Sequence, residues 1–154
     1  HNVTASLVVA TSSKGATNNK GVNGTYKVTV YDSANTPVLD KSFDLTTTAN
    51  KISLDLAPGT YTATITSEFA LARTVSIVVG DADIAGPATA MIVCDYNKDT
   101  NITGADATAV YSAASKATDL RYDLNGDGSV TGADATAIFA IASSAIALPA
   151  VTIK

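Results

Sequence analysis

The spacing of apolar residues differs between the two halves of the chain. From residue 3 to about residue 80, apolar and polar residues alternate, and turn-forming Gly, Pro and Asn residues separate the alternating runs. Alternation gives a strand one apolar face and one polar face. The pattern predicts six or seven short strands that form an antiparallel, all-β sandwich of immunoglobulin-like type. The clearest runs are TYKVTVYD, KISLDL and TYTATIT, at residues 25–32, 51–56 and 60–66.

The period changes after residues 80–88 (GDADIAGPA), where Gly, Asp and Pro interrupt the strand pattern. We place a domain boundary there and predict a β-sandwich at residues 1–86 and a second domain at residues 87–154. In the second domain apolar residues recur at helical spacing, as in TGADATAVYSAASKA at residues 103–117. The sequence therefore predicts two domains, of which the second is small and all-α.

A 12-residue pattern occurs twice in the second domain, as DYNKDTNITGAD at residues 95–106 and DLNGDGSVTGAD at residues 123–134. Places one, three, five and twelve of each copy carry Asp, Asn, Asp and Asp. In a tight loop around a cation, alternate side chains point inward, a backbone carbonyl serves at place seven, and place twelve lies on the following helix. The predicted ligands are Asp95, Asn97, Asp99, the Asn101 carbonyl and Asp106 in the first loop, and Asp123, Asn125, Asp127, the Ser129 carbonyl and Asp134 in the second.

These hard oxygen ligands favour calcium, with magnesium as the poorer fit, so we predict two calcium ions. One such loop alone could be an ordinary Asx-rich turn, but two copies with the same following helix favour metal binding. Gly128 at place six suits the positive φ of the turn, whereas Thr100 at that place opposes it by roughly 1–2 kcal/mol. We therefore expect the second loop to bind calcium more tightly.

Two further features of the loops lead to structural expectations. Thr103 and Thr131 each precede an Asp by three residues and predict capping boxes at the helix starts. At place eight, Ile102 and Val130 are expected to turn inward and join the two loops through a short strand contact.

The duplicated loops, each leading into a helix and each with Asp rather than Glu at place twelve, resemble the F-hand loops of dockerin modules from bacterial cellulosomes. The resemblance covers residues 92 to about 148. The sandwich resembles the X-modules that precede dockerins in anchoring proteins. The resemblance implies a non-catalytic attachment module that binds a cohesin in a calcium-dependent manner. It would anchor its parent protein to a polysaccharide-degrading cellulosome scaffold or to the cell surface, with the X-module stabilising the dockerin.

The same resemblance implies a set of cohesin-contacting positions. Many dockerins have Ser-Thr at places ten and eleven, so the small residues and helix aromatics found here imply a partner surface that is apolar, with Lys116 at its rim. Tyr111 and Phe139 are alternatively core residues of the helical domain. Because the two copies are nearly equivalent, binding in two orientations is a hypothesis. The implied positions are Gly104, Ala105, Tyr111, Ser112 and Lys116 in the first copy, and Gly132, Ala133, Phe139, Ala140 and Ser144 in the second.

Charge and composition exclude several other classes of function. The net charge is −4, so we expect no nucleic-acid partner and no docking on anionic membranes. No apolar run approaches the roughly 20 residues of a membrane helix. The low charged fraction of 16% and the abundance of Thr, Ala, Ser and Asn resemble those of secreted bacterial surface proteins. We expect an extracellular protein that is a monomer when free.

An enzyme is not expected, because the one histidine is His1 and the paired carboxylates are assigned to metal. The alternative function is a carbohydrate-binding sandwich with a calcium-stabilised structural module, although Trp is absent and Tyr31 is the clearest outward tyrosine. A calcium sensor is disfavoured because Met91 is the one methionine. Cys94 permits no internal disulfide, and a buried hydrophobic role is favoured over a reactive thiol. Residues 90–93 and 151–154 either pair as a clasp or leave the tail frayed.

Overall fold

The structure is a computed structural model that describes residues 1–13, 16–114, 118–142, 148 and 150–154. Two β-sheets pack face to face, and two short helices lie between β8 and β9 in the chain. One sheet has β1 at its centre, with β2 and β5 along one side and β8 on the other. The other sheet has the order β4-β3-β6-β7-β9. The elements are β1 (Val3–Ser13), β2 (Ala16–Asn18), β3 (Gly24–Tyr31), β4 (Pro37–Leu45), β5 (Lys51–Leu56), β6 (Gly59–Ser67), β7 (Arg73–Val79), β8 (Ile84–Met91), α1 (Gly104–Ala114), a 3-10 turn (Leu120–Tyr122), α2 (Gly132–Ala142) and β9 (Thr152–Ile153).

The alternation predicted for the sandwich strands is confirmed. In β3 the apolar side chains are buried while Lys27 is exposed, and in β5 the buried side chains alternate with exposed Lys51, Ser53 and Asp55. Burying one face of each sheet against the other is the main source of stability in such a fold. The buried residues of these two strands are Tyr26, Val28, Val30, Ile52, Leu54 and Leu56.

Residues 80–88 were expected to separate two domains, but most of this segment is part of a strand. β8 runs parallel to β1, and its register shifts between Ser6 and Val8 of β1, opposite Gly86 and Pro87. Proline is tolerated at such a bulge because its missing N–H is not required there. The proposed boundary between residues 86 and 87 thus lies within β8, and the division into two domains stays a prediction.

The prediction of an all-α second domain is wrong. The structure is mostly β-strand, and the two helices found among the described residues have eleven residues each. After α2 the chain ends in β9, which pairs in parallel with β7, with Ile77 opposite Ile153. Short helices bury too little apolar surface to form a separate core. Accordingly, Val110 of α1 and Ile138 of α2 belong to the same continuous hydrophobic core as the sandwich.

Neither expectation for the C-terminal tail holds. Residues 151–154 do not form a hydrogen-bonded pair with residues 90–93, because β8 pairs with β1 and β9 pairs with β7. The tail is held by packing as well, since Ile153 is fully buried against Gly86. A Cβ atom at Gly86 would lie 2.4 Å from the Ile153 Cγ1 atom, so the absence of a side chain there makes room for the tail.

Candidate metal centre and docking face

The first loop holds two buried carboxylates, at places one and twelve. The Asp95 Oδ1 atom accepts a hydrogen bond from the Asp99 N–H (3.1 Å), and its Oδ2 atom accepts one from the Thr100 N–H (3.0 Å). The Asp106 Oδ1 and Oδ2 atoms accept hydrogen bonds from the Asn97 N–H (3.3 Å) and the Thr103 N–H (2.8 Å). The two carboxylates thereby hold the backbone of the loop in a closed curve.

The second loop repeats this network. The Asp123 carboxylate accepts hydrogen bonds from the Asp127 N–H (3.1 Å) and the Gly128 N–H (2.9 Å). The Asp134 Oδ1 and Oδ2 atoms accept hydrogen bonds from the Asn125 N–H (3.1 Å) and the Thr131 N–H (2.7 Å). The same four backbone positions are bound in both loops, so the sequence repeat is also a structural repeat.

The side chains at places three and five lie on the exposed side of each loop. Asn97 donates a hydrogen bond from Nδ2 to the Asp99 Oδ2 atom (2.9 Å), and Asn125 donates one to the Asp127 Oδ2 atom (3.2 Å). Asp99 and Asp127 are exposed. Among the described residues no group of three or more His, Cys, Asp or Glu side chains is arranged to hold a metal ion. Because the place-five carboxylates are exposed, each loop has two buried carboxylates, at places one and twelve.

The donor chemistry of the loops nevertheless fits a calcium ion. Asp106 and Asp134 are fully buried, and Asp95 and Asp123 are 6% and 2% exposed. No ion pair in the described part of the chain joins any of these four carboxylates to Lys or Arg. Buried carboxylates without a positive partner are costly, and hard oxygen atoms are the ligands that calcium prefers. Hydrogen bonds from backbone N–H groups offset part of the cost of burying these carboxylates, and a bound cation would offset the rest.

The backbone at place six matches the sequence prediction. Gly128 has φ +89°, and Thr100 has φ +69° in the first loop. Place four is also left-handed, with φ +61° at Lys98 and +71° at Gly126. Both of these places carry glycine in the second loop and a residue with a side chain in the first. A left-handed conformation costs such a residue roughly 1–2 kcal/mol, so the first loop carries more backbone strain.

Both helices begin with the predicted capping arrangement. The Thr103 Oγ1 atom accepts a hydrogen bond from the Ala105 N–H, and the Thr131 Oγ1 atom accepts one from the Ala133 N–H, each at 3.2 Å. The place-twelve carboxylate accepts a hydrogen bond from the threonine N–H in both copies. Each of these carboxylates therefore closes the loop and also supports the N-terminus of the next helix.

The two residues at place eight differ in burial. Val130 is buried in the core, while Ile102 is only partly buried. Neither residue belongs to a strand, so the strand contact expected between the two loops is not formed. The repeats are instead joined by the packing of α1 against α2.

We define the docking face as Tyr111 and Phe139 together with the first residues of both helices. Its arrangement is crossed, because the aromatic ring of each helix lies over the first residue of the other helix. Phe139 of α2 lies over Gly104 of α1, and its Cε1 atom would be 3.6 Å from a Cβ atom at that glycine. Tyr111 of α1 lies over Gly132 of α2 in the same way, at 3.5 Å. Tyr111 is 56% exposed and Phe139 is 51% exposed. The interpretation of these aromatics as core residues is therefore wrong.

The other positions implied by the resemblance surround the two rings. Ala105, Ser112 and Ala133 are exposed, and Ala140 is partly buried. Lys116 and Ser144 lie outside the described residues. The described positions form two similar patches, each consisting of small residues at one helix start and an aromatic ring from the other helix.

A cluster of three aromatic side chains was not found from the sequence. Phe69, from the β6–β7 turn, lies 5.1 Å from Tyr96 and 5.3 Å from Tyr122 between ring centroids, and the two tyrosine rings stack at 4.8 Å. Tyr96 is at place two of the first loop and Tyr122 directly precedes the second loop, so the cluster joins the sandwich to both. Burial raises the pKa of Tyr96. The three residues have no common spacing, so no sequence pattern could have identified them.

Charged side chains surround this cluster. Glu68 forms ion pairs with Lys98 of the first loop (3.1 Å) and with Arg121. Arg121 also donates a hydrogen bond from Nε to Asp119 (2.9 Å), which lowers the pKa of that carboxyl group. These side chains are 40–55% exposed, so each pair contributes little to stability.

Cys94 is fully buried directly before the first loop. Burial raises the pKa of its thiol to about 12, and the nearby Asp106 and Asp95 carboxylates act in the same direction. The thiolate is the reactive form of cysteine, so a buried thiol of this kind is inert. The structure supports the hydrophobic role predicted for this residue.

Comparison with known proteins identifies a class for the C-terminal region. Residues 93–139 match the model of the dockerin type I domain. No curated protein matches the chain. A solved structure with a similar fold is a chain of a type II cohesin–X-dockerin complex from Acetivibrio cellulolyticus, an N-terminal interface mutant. Its TM-score is 0.55 at 19% sequence identity, over 90% of this chain and 94% of that chain. In addition, no described helix is long and apolar enough to cross a membrane.

Proposed function

We propose that the chain is a non-catalytic attachment module, in which a dockerin at residues 87–154 binds a cohesin and an X-module at residues 1–86 supports it. The crossed docking face carries the proposal, because it exposes two aromatic rings that the fold does not need for its core. The dockerin match and the fold similarity to a cohesin–X-dockerin complex support it. Its role would be to attach its parent protein, outside the cell, to a cellulosome scaffold or cell surface.

The two loops would hold one calcium ion each. Bound calcium would supply the positive charge that the buried carboxylates lack and would stabilise the folded loops. Asp106 and Asp134 act on both the loop and the helix cap, so ion binding and the position of each helix start are linked. The proposed ligands are those predicted from the repeat, with side chains at places one, three, five and twelve and a carbonyl at place seven.

The cohesin would contact the docking face through its two patches. Exposed aromatic side chains beside small residues are typical interface anchors, because a partner surface can approach the ring closely. The proposed contacts are Gly104, Ala105, Tyr111 and Ser112 in one patch and Gly132, Ala133, Phe139 and Ala140 in the other, with Lys116 and Ser144 also proposed. The similarity of the patches favours binding in two orientations.

The type of the partner is open to direct test, because the family model is that of a type I dockerin, whereas the solved structure is described as a type II complex. The full chain should be titrated against purified type I and type II cohesins, in calcium and again in excess chelator. Binding of one type that is lost in chelator is the expected result. No binding to either type, in a chain that calcium still stabilises, would contradict the attachment function.

Two controls accompany this titration. Val78→Ala removes an exposed apolar side chain from the sandwich and should leave cohesin binding unchanged. Retention of the full chain on cellulose that is lost in Tyr31→Ala would instead favour the carbohydrate-binding alternative.

A further inference from the structure

The second loop lies unusually close to a turn of the sandwich. This supporting turn comprises residues 19–22, which connect β2 to β3. A Cβ atom at Gly21 would lie 2.9 Å from the Leu124 carbonyl oxygen and 3.0 Å from its Cα atom. Both atoms belong to the backbone of the loop, so a side chain at Gly21 would require one of the two segments to move.

The contact continues at the next residues of both segments. A Cβ atom at Gly126 would lie 3.2 Å from the Cα and Cβ atoms of Lys20, so place four of the loop is covered by the turn. Leu124 is 6% exposed, and its Cδ1 atom would be 3.2 Å from a Cβ atom at Gly21. The supporting turn therefore lies against places two and four of the loop, on either side of the proposed ligand Asn125.

The supporting turn is itself well anchored in the sandwich. The Thr11 hydroxyl donates a hydrogen bond to the Lys20 carbonyl oxygen (2.7 Å), and the Asn18 Oδ1 atom accepts one from the Lys20 N–H (2.9 Å). Val22, which follows Gly21, is fully buried. Because one end of the contact is anchored in the β-core, the turn can restrict the backbone of the loop.

The first loop contacts the sandwich in a different way. The Asp95 N–H donates a hydrogen bond to the Phe69 carbonyl oxygen (2.8 Å), and Lys98 at place four forms its ion pair with Glu68. This contact uses one backbone hydrogen bond, the ring contact of Tyr96 with Phe69 and an exposed ion pair, whereas the second loop packs backbone against backbone. The first loop thus provides an internal control for any effect of the supporting turn.

We propose that residues 19–22 position the second calcium loop and raise its affinity for calcium, an inference that rests on the calcium binding proposed above. Holding places two and four before the ion arrives reduces the ordering that binding would otherwise require. The coupling is reciprocal, so calcium in the second loop also stabilises this end of the sandwich.

Single-loop backgrounds of the full chain allow the proposal to be tested. Asp99→Ala disables the first loop and leaves the second to be measured, and Asp127→Ala does the reverse. Gly21→Ala is introduced into both backgrounds, and calcium affinity is measured by titration calorimetry. Gly24→Ala is the matched control, since Gly21 and Gly24 both have a positive φ (+75° and +145°) but a Cβ atom added at Gly24 would meet nothing closer than 3.7 Å.

Gly21→Ala should weaken calcium binding by about tenfold in the second loop and by less than about twofold in the first, while Gly24→Ala should have no selective effect. If Gly21→Ala does not fold, Lys20→Ala, which adds no atoms, should give a smaller weakening confined to the second loop. If Gly21→Ala weakens calcium binding equally in both loops, or in neither, the proposal is overturned. The proposed calcium binding is not affected by that result, because it depends on the unmodified chain. Failure of the unmodified chain to bind calcium would overturn the proposed function as well.

Discussion

The two loops have almost the same hydrogen bonds but different backbones. In both, the carboxylates at places one and twelve accept hydrogen bonds from the same four backbone N–H groups, at distances of 2.7–3.3 Å, and Asp123 of the second loop also accepts one from the Gly126 N–H (2.8 Å). The left-handed residues at places four and six are Lys98 and Thr100 in the first loop and Gly126 and Gly128 in the second. The same arrangement of carboxylates can therefore be repeated while the conformational cost of the backbone that holds it differs between the two copies.

The largest expected effect comes from the fully buried place-twelve carboxylates. Asp134→Ala removes two charge-assisted hydrogen bonds, a helix cap and a proposed ligand. It should lower the free energy of unfolding, measured in the presence of calcium, by about 3 kcal/mol or more. Asp106→Ala should do the same in the first loop. Thermal unfolding and calcium titration measure both. Asp134→Asn keeps the side-chain shape and one of the two acceptor oxygens, so it should lose calcium binding with a smaller loss of stability than Asp134→Ala. Equal stability losses for Asn and Ala would contradict the capping role.

The docking face provides the next comparison, because the two patches are similar but not identical. Tyr111→Ala and Phe139→Ala together should weaken cohesin binding by about a hundredfold, since aromatic anchors of this kind contribute about 1–2 kcal/mol each. Either single change should have a smaller effect if the second orientation can still be used. Cohesin titration of the two single variants and the double variant measures this. A single change that abolishes binding would exclude two equivalent orientations.

Exchange of the residues at place six tests the backbone difference directly. Thr100→Gly should raise the affinity of the first loop about fivefold, and Gly128→Thr should lower that of the second by a similar factor, because each change is worth about 1 kcal/mol. The two changes combined should reduce the difference in calcium affinity between the loops by about 25-fold, while place four and the supporting turn still favour the second loop. Calcium titration in the Asp127→Ala and Asp99→Ala backgrounds measures each loop alone. A first loop that already binds more tightly in the unmodified chain would contradict the expected order.

The smallest effect is expected at the ion pairs of Glu68. Glu68→Gln removes the pairing with Lys98 and Arg121, but exposed pairs contribute about 0–1 kcal/mol. The melting temperature should fall by a few degrees at most, and less at high salt. Asp40→Asn, which removes the exposed ion pair between Asp40 of β4 and Lys27 of β3, is the matched control. A large loss of calcium affinity in Glu68→Gln alone would mean that this residue also positions the first loop.

Features that depend on residues close together in the chain could be predicted from the sequence. The burial alternation of β3 and β5, the capping at Thr103 and Thr131, and the positive φ of Gly128 all depend on neighbours within a few residues. The proposed ligands lie within 12 residues of one another, so the spacing alone indicates a common site. Contacts between distant segments left no periodic pattern, and the predictions that needed them were wrong or incomplete.

By itself, the sequence determined the sandwich strands, the two repeated loops and the helices that follow them, because period and spacing act locally. Only the tertiary structure decided that Gly86 and Pro87 form a bulge instead of a linker, and that β9 returns to the sandwich. It also decided that Tyr111 and Phe139 face outward and that Gly21 supports the second loop. The physical reason is that these features depend on how closely two surfaces approach, and those surfaces come from segments up to about 100 residues apart in the chain.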